Sequence, residues 1–299
     1  MSAPLSFQTV AAYSDFNQQA TPHPLVNLVD LAKADPRHLR RMHFGLYVVF
    51  LKESKCGDLR YGCDVYDYAE GTLVFVAPGQ VIGSDKPEEV YQPQGQALVF
   101  HPDLLHGTTL GGHIGQYTFF GYQANEALHV SEEERRTLTD LLANTGRELQ
   151  RPRDAHSDRL IVAYIELFLQ HCARFYDRQF ATRKPVNKGT LARFEELVHD
   201  YYNSGKAQEE GLATVGYFAH ALNLSPNYFG DLVKSQTGRS AQEYLQDHLI
   251  AVAKERMHRG DRSVSEVAYA LGFKYPQHFT RLFKQRVGHT PNAYRGMIA

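Results

Sequence analysis

The sequence predicts an α+β protein of two domains, in which a β-barrel and its following helices precede an all-α domain. Short runs of alternating apolar residues, separated by Gly, Pro and Asp, recur between residues 43 and 120 and are typical of a barrel or sandwich. One apolar pattern occurs twice between residues 214 and 294, which indicates a helical unit used twice. A length of 299 residues also favours two domains.

The clearest strand segments share a form in which a turn precedes a buried strand and a proline follows it. They are EGTLVFVAPGQVIG at residues 70–83 and GQALVFHPDLLHG at residues 95–107. This form resembles that of small cupin-like barrels, which commonly enclose a cavity for a small ligand. Residues 1–130 are therefore expected to form a cupin-like barrel.

A metal-dependent enzyme of the cupin type would need closely spaced histidines and a carboxylate that converge on one ion. The histidines of the strand region are scattered and form no His-x-His pair: His43, His101, His106 and His113. We therefore expect no metal, no cofactor and no catalytic residue. Cys56 and Cys63 could meet across a hairpin as a redox switch, although reduced thiols fit a cytosolic protein without a CxxC pair better.

Residues 131–180 are predicted to be helical and to mediate dimerisation. Ser131 and Glu134 form a capping box that opens a first helix. A second helix, from about residue 155 to residue 178, has an apolar stripe wider than contact with one barrel requires. A dimer interface would use this width, whereas the alternative is a helix that only covers the barrel. The predicted interface residues are Leu160, Tyr164, Leu167, Phe168 and Phe175.

The duplicated pattern lies in a predicted domain at residues 191–299, after a polar, proline-bearing linker at residues 181–190. Each copy reads as helix, tight turn, helix, with the two units at about residues 212–238 and 263–288. In the first unit Asn223 stands at the turn and Ser225 can cap the second helix. In the second, Ser263 and Glu266 can form a capping box, and Gly272 stands at the turn. A linker helix of some twenty residues between them would span roughly 30 Å, close to one turn of B-DNA. One chain could thus place two helices in successive major grooves, and the alternative is a plain helical bundle.

Two phrases carry a resemblance to a known family: LNLSPNYFGDLVKSQTGRSAQEYL and SVSEVAYALGFKYPQHFTRLFKQRVGHTPNAYR. Residues 187–299 resemble the DNA-binding domain of AraC/XylS-type transcription regulators, and the second phrase has its GF, FK, TP and YR elements in order at the family spacing. Many such regulators carry a cupin-like barrel as a sensor. The resemblance therefore implies a ligand-responsive regulator that dimerises through the middle helices.

In the resembled family the second helix of each unit reads bases. Asp231 departs from the pattern, because many members carry a basic or long polar residue there, and Asp accepts from cytosine N4 but repels phosphate. The first helix is therefore expected to read fewer bases, or to read them differently. By motif position the DNA-binding residues are Asn227, Gly230, Asp231, Gln277, Thr280, Arg281 and Lys284.

The net charge of −1 does not by itself indicate a nucleic-acid partner, but its distribution does. From residue 263 onward the sequence is basic, with Glu266 as its one acidic residue, so the second unit is the expected anchor on phosphate. The alternative is a solvated basic face. The apolar runs are too short to span a bilayer, and no signal peptide is evident, so we expect a cytoplasmic protein without a membrane partner.

The sequence thus predicts a transcription regulator that binds double-stranded DNA, forms a homodimer, holds a small-molecule effector in its barrel and is not an enzyme. Two alternatives remain open. The chain could be a metal-dependent cupin enzyme with a fused regulatory DNA-binding domain, for which bound metal would be evidence. It could also be a constitutive DNA-binding protein whose barrel only dimerises, which a ligand-sized cavity with convergent polar groups would contradict.

Overall fold

In the computed structural model of the protein the chain divides into two compact units, Met1–Gln179 and Phe180–Ala299. The residues that the structure describes are 4–52, 71–83, 86–258 and 262–298. Cys56 and Cys63, the predicted candidates for a redox switch, lie outside the described residues.

The first unit contains the strands that the alternating sequence predicts, followed by two long helices. In chain order its elements are β1 (Leu5–Phe7), α1 (Val10–Phe16), β2 (Val26–Asp30), β3 (Arg37–Leu39), β4 (Met42–Phe44), β5 (Tyr47–Lys52), β6 (Thr72–Val76), β7 (Val81–Ile82), β8 (Lys86–Tyr91), β9 (Gln96–Phe100), α2 (Thr109–His113), β10 (Leu128–His129), α3 (Glu132–Leu149) and α4 (Ser157–Thr182). Short 3-10 turns lie at Leu31–Lys33, Pro102–Leu105, Ile114–Gln116, Thr118–Gly121 and Ala124–Glu126.

The described strands form three separate sheets. The largest is antiparallel, with the order β10-β6-β5-β9-β2, while β4 lies between β1 and β7, and β3 pairs with β8. A closed barrel requires every strand to be paired on both sides. The order of the largest sheet instead ends at β2 and β10, so the described strands have the predicted sheet content but do not close into the predicted barrel.

Both faces of the five-stranded sheet are buried, because successive side chains of a strand point to opposite sides. Val48 and Phe50 of β5 belong to a core that α1 completes. On the opposite face, the ring of Tyr47 stacks on that of Phe100 with centroids 5.1 Å apart. Phe119 covers this second face and stacks in turn on Tyr176 of α4. The sheet is thus enclosed between α1 on one side and α4 on the other.

The helices that follow the strands are tied to them by polar contacts. The predicted capping box is present, because Ser131 Oγ accepts from Glu134 N–H at 3.3 Å and the Glu134 carboxylate accepts from Ser131 N–H at 2.8 Å. Near the end of α4, Arg178 donates to the Glu134 carboxylate at 2.7 Å and to the His129 carbonyl at 2.6 Å. One guanidinium therefore joins β10, α3 and α4.

The second unit is helical throughout its described elements. They are α5 (Lys184–Asn203), α6 (Lys206–Glu210), α7 (Val215–Ala221), α8 (Pro226–Thr237), α9 (Ala241–His258), α10 (Val264–Ala270), α11 (Pro276–Val287) and α12 (Pro291–Ile298). α5 starts before residue 191, where the domain is predicted to begin, so the residues predicted as a linker are largely helical. A proline in the first helical turn is compatible with this start, because its missing N–H would have no partner there.

One apolar core holds the second unit together. α9 contributes to it along most of its length, from Ala241 to Met257. Phe229 of α8 and Phe279 of α11 are fully buried in the same core. The 18 residues of α9 span roughly 27 Å at 1.5 Å per residue. This helix therefore sets the separation of the two helix pairs that flank it.

Candidate nucleic-acid interface

The first helix-turn-helix consists of α7, a short turn and α8. Thr214 caps α7 by accepting from Tyr217 N–H at 3.1 Å, and Asn223 takes a left-handed conformation in the turn, with φ of +57°. Ser225 then caps α8 by accepting from Tyr228 N–H at 3.2 Å. Asparagine tolerates this conformation better than other side chains. The turn residue and the cap predicted for this unit are both confirmed.

The second helix-turn-helix repeats this arrangement with α10 and α11. Ser263 Oγ accepts from Glu266 N–H at 3.2 Å, and the Glu266 carboxylate accepts from Ser263 N–H at 2.6 Å, which confirms the predicted capping box. The backbone N–H of Ser263 lowers the pKa of Glu266, because it stabilises the charged carboxylate. Gly272 forms the turn with φ of +89°, and Gly288 ends α11 with φ of +86°.

Equivalent apolar positions hold the second helix of each unit. Phe229 and Val233 of α8, and Phe279 and Phe283 of α11, each have no exposed surface. Because each pair lies on one helical face, the opposite face of α8 and of α11 points away from the shared core. Both units therefore offer one outward polar face, as base-reading helices require.

The residues predicted to bind DNA lie on these outward faces or at their edges. Asn227 is exposed in α8, whereas Gly230 and Asp231 are half-buried. In α11, Thr280 is half-buried and its hydroxyl donates to the Pro276 carbonyl at 3.1 Å. The exposed members of α11 are Gln277, Arg281 and Lys284. The outward face of α11 therefore carries two exposed cations near its middle.

Two of the basic residues attributed to phosphate anchoring are engaged within the unit. Arg286 is 26% exposed and lies 3.5 Å from the Asp247 carboxylate of α9. Arg295 donates to the Arg262 carbonyl at 2.7 Å. The basic side chains of this region that remain exposed are Lys274, Arg281 and Lys284. The count of charges along the sequence did not reveal that Asp247 pairs with Arg286. A single acidic residue in a helix normally indicates only a solvated face.

Comparison with known proteins agrees with this geometry. A family model described as a helix-turn-helix domain matches residues 218–297. The uncharacterized HTH-type transcriptional regulator YijO of Escherichia coli K12 is 28% identical over 204 residues, which are 68% of this chain and 68% of YijO. The uncharacterized HTH-type transcriptional regulator YobQ of Bacillus subtilis 168 is 32% identical over 133 residues, which are 40% of this chain and 54% of YobQ.

This chain is a DNA-binding transcription regulator with an AraC-type helix-turn-helix domain. The regulator spans about half the length of YobQ and about two thirds of that of YijO. Among solved structures, ToxT from Vibrio cholerae aligns with 91% of the regulator and 97% of its own chain, at 12% identity and a TM-score of 0.30.

The apolar stripe of α4 in this regulator separates into two faces. Leu160 and Leu167 are 42% and 44% exposed, and Tyr164 between them is half-buried. Phe168 and Phe175 are buried, at 1% and 7% exposure. Each of the two sets recurs at seven residues, and neighbouring positions are rotated by about 100° around the helix. The sequence pattern placed both faces in one predicted interface, although one face is exposed and the other is buried.

The histidines weighed as metal ligands have separate surroundings. His101 and His106 both face Asp103, with distances of 3.4 and 3.7 Å from nitrogen to carboxylate oxygen. His113 Nε2 lies 3.3 Å from the Glu166 carboxylate of α4. Among the described residues, no three His, Cys, Asp or Glu side chains are grouped to hold a metal ion. None of the helices searched in the described part of the chain is long and apolar enough to cross a membrane.

Proposed function

We propose that the regulator places α8 and α11 in successive major grooves of one duplex. The observation that supports this is the pair of outward polar faces held by equivalent apolar positions on one core, with α9 between them. A separation of roughly 27 Å along α9 is compatible with one turn of B-DNA, about 34 Å. The base contacts are proposed for Asn227, Gly230, Asp231, Gln277, Thr280, Arg281 and Lys284.

The experiment is selection of bound DNA from a random library by the whole chain, followed by footprinting of the selected sequence. We expect two short blocks of sequence preference whose centres are about 10 base pairs apart, because that distance is one helical turn. A single uninterrupted block would show that only one of the two helices reads bases. A wild-type chain that selects no sequence would contradict the assignment of both helices.

We propose that the regulator forms a homodimer through the exposed face of α4. The support is that Leu160 and Leu167 are large apolar residues of which more than two fifths of the side chain is exposed, on one face of a 26-residue helix. Covering them with the same face of a second copy would remove this surface from water, and such two-fold interfaces are common. Phe168 and Phe175 would then support the interface from within the core.

The test of the dimer is Leu167→Glu, with Gln94→Glu as its control. The variant should sediment as a monomer, because an unpaired carboxylate is costly in an apolar contact. Affinity for a doubled operator should fall, since the second copy no longer contributes, while weak binding to a single site remains. Gln94 is exposed in the loop before β9 and lies outside α4, so its variant should stay dimeric. A Leu167→Glu protein that remains dimeric at micromolar concentration contradicts the interface.

We propose that the first unit has a cupin-like fold, senses a small molecule and is not an enzyme. The buried aromatic face against α4 supports this role, because α4 also carries the proposed interface.

A ligand that binds only the folded protein should raise its melting temperature. Melting scans against small-molecule panels, followed by DNA titration, should find a compound that changes both. Stoichiometric metal in the purified protein would instead favour a metal-dependent enzyme. We also propose a cytoplasmic location, because DNA is the partner.

A further inference from the structure

The carboxylate of Asp247 on α9 contacts one arginine just after α8 and another near the end of α11. One oxygen of Asp247 accepts from Arg239 Nη1 at 2.9 Å, and the other lies 3.5 Å from Arg286 Nη1. Arg239 directly follows the glycine that ends α8, whereas Arg286 lies in the last turn of α11. Asp247 therefore links the segment between α8 and α9 to the last turn of α11.

The second arginine is held on more than one side. Arg286 is 26% exposed, less than half the exposure of Arg239 at 64%. Its Nη2 donates to the Gln246 side chain, so two consecutive residues of α9 contact one guanidinium. The ion pair of Asp247 with Arg286 is therefore screened less by salt than its pair with the more exposed Arg239. The contact with Asp247 also costs less conformational entropy, because Gln246 already restrains the same side chain.

The position of this cluster is set apart from the apolar core. The core fixes the inner faces of α8 and α11 through Phe229 and Phe279. Apolar packing is non-directional, so a helix can still tilt about such a contact. The ion pair with Asp247 and the hydrogen bond to Gln246 add a restraint at the end of α11, at a distance from that contact. The restraint acts on the angle between α11 and α9, and thus on the relation of α11 to α8.

We propose that Asp247 is a positioning residue for DNA binding, which holds α8 and α11 at the relative angle that two successive major grooves require. The proposal rests on the function assigned to those two helices. Asp247 itself contacts no base in this scheme. Its removal should therefore affect DNA that engages both helices and should spare DNA that engages only one.

The experiment compares Asp247→Asn with Glu196→Gln in the whole chain. Both changes remove one negative charge from the second unit, and Glu196 is exposed on α5, so the general attraction to DNA changes equally. The probes are the sequence selected by the wild-type chain, a version with one of its two blocks scrambled, and versions with one or two base pairs added or removed between the blocks.

We expect Asp247→Asn to weaken binding to the intact site by about two- to fivefold relative to Glu196→Gln, because both partners of each ion pair are partly exposed to water. Binding to the scrambled-block site should match that of the control. The affinity of the variant should change less when base pairs are added or removed between the two blocks, because the angle between α8 and α11 is less restrained. Because Arg286→Gln changes the net charge in the opposite direction, its comparison is the ratio of affinities for the intact and scrambled sites, which should fall as it does in Asp247→Asn. The double variant should lower this ratio little further than either single change.

Other results would overturn the proposal. Equal losses on intact and scrambled sites would mean that Asp247 affects one helix alone. Tighter binding of Asp247→Asn to every site would mean that Asp247 withholds its two arginines from phosphate. If Asp247→Asn fails to fold by circular dichroism, Asp247→Glu keeps the charge, and normal spacing dependence in that variant is required. A wild-type chain that selects a single block would instead contradict the proposed function itself.

Discussion

The two helix-turn-helix units have the same plan but reach it with different residues. The turn between α7 and α8 uses Asn223, which is exposed, whereas the turn between α10 and α11 uses Gly272. Both residues have positive φ, at +57° and +89°. The difference lies in their surroundings. A side chain is tolerated where the turn faces water and is excluded where the turn packs against backbone.

The surroundings of Gly272 explain this exclusion. A Cβ atom at this position would lie 2.6 Å from the Ala207 carbonyl oxygen and 2.6 Å from the carbon and oxygen of Gly211. These atoms belong to α6 and to the residue that follows it, so the second turn is pressed against a segment that precedes the first unit. The second unit is therefore braced at its turn by another part of the domain, whereas the turn residue of the first unit is exposed.

The outward faces differ as well. α8 presents Asn227 and the half-buried Asp231, while α11 presents the exposed cations Arg281 and Lys284. An arginine can bind a guanine with two hydrogen bonds, whereas an aspartate accepts from cytosine and repels phosphate. This difference predicts that α11 supplies most of the attraction to DNA and that α8 refines the sequence preference.

The largest effect is expected from changing the two turn residues in parallel. Gly272→Ala should reduce the free energy of unfolding by about 2–4 kcal/mol, because the left-handed strain adds to a clash with backbone atoms. Asn223→Ala should cost only about 1 kcal/mol, since strain is then the main cost. Urea unfolding followed by circular dichroism measures both. Equal losses would mean that the turns do not differ in their packing.

Removing the central cation of α11 should have the next largest effect. Arg281→Ala is expected to cost about 1–3 kcal/mol of specific binding and to relax the preference at one base, as for a lost bidentate contact. Titration against the selected site and its single-base variants measures this. A uniform loss on every sequence would instead identify Arg281 as a phosphate contact.

Lys284→Ala provides the matched comparison on the same helix. If Lys284 contacts phosphate, its loss should weaken binding on all sequences and reduce the dependence of log affinity on log salt by about 1. Lys234, the equivalent exposed residue of α8, should show a smaller change if α11 is the electrostatic anchor. A larger change at Lys234 would reverse the assigned roles of the two helices.

The smallest effect concerns the helix caps, which also differ between the units. The cap of α10 includes Glu266, whereas Tyr217 occupies the matching position of α7. Since the folded state lowers the pKa of Glu266, its stabilisation is present above the unfolded pKa of about 4.3 and is lost as pH falls through the folded value. Glu266→Gln should therefore lose stability at pH 7 but lose less on acidification than the wild type.

The measurement is the difference in unfolding free energy between Glu266→Gln and wild type from pH 7 to pH 3. Many other carboxylates titrate over this range, so only the difference between the two proteins reports on Glu266. Thr214→Ala serves as the control, because it removes the cap of α7 without removing a carboxylate and should show a loss that does not depend on pH. A loss for Glu266→Gln that is constant with pH would contradict the role of the charge.

The sequence by itself determined the features that depend on neighbouring residues. The capping boxes at Ser131 and Ser263, the glycine at the second turn and the duplicated apolar positions all follow from spacing within a few residues, which the backbone reads locally. These signals were sufficient to predict two helix-turn-helix units and their outward faces. The strand content of the first unit likewise followed from alternation.

Only the tertiary structure decided the features that depend on distant partners. It separated Leu167, which is exposed, from its neighbour Phe168, which is buried, because a helical stripe does not reveal what each face meets. It joined Arg286 to Asp247 across 39 positions by subtraction, and the largest sheet formed by the described strands of the first unit is open. Pairing of strands and of charges depends on which surfaces the folded chain brings together, and no local pattern encodes that choice.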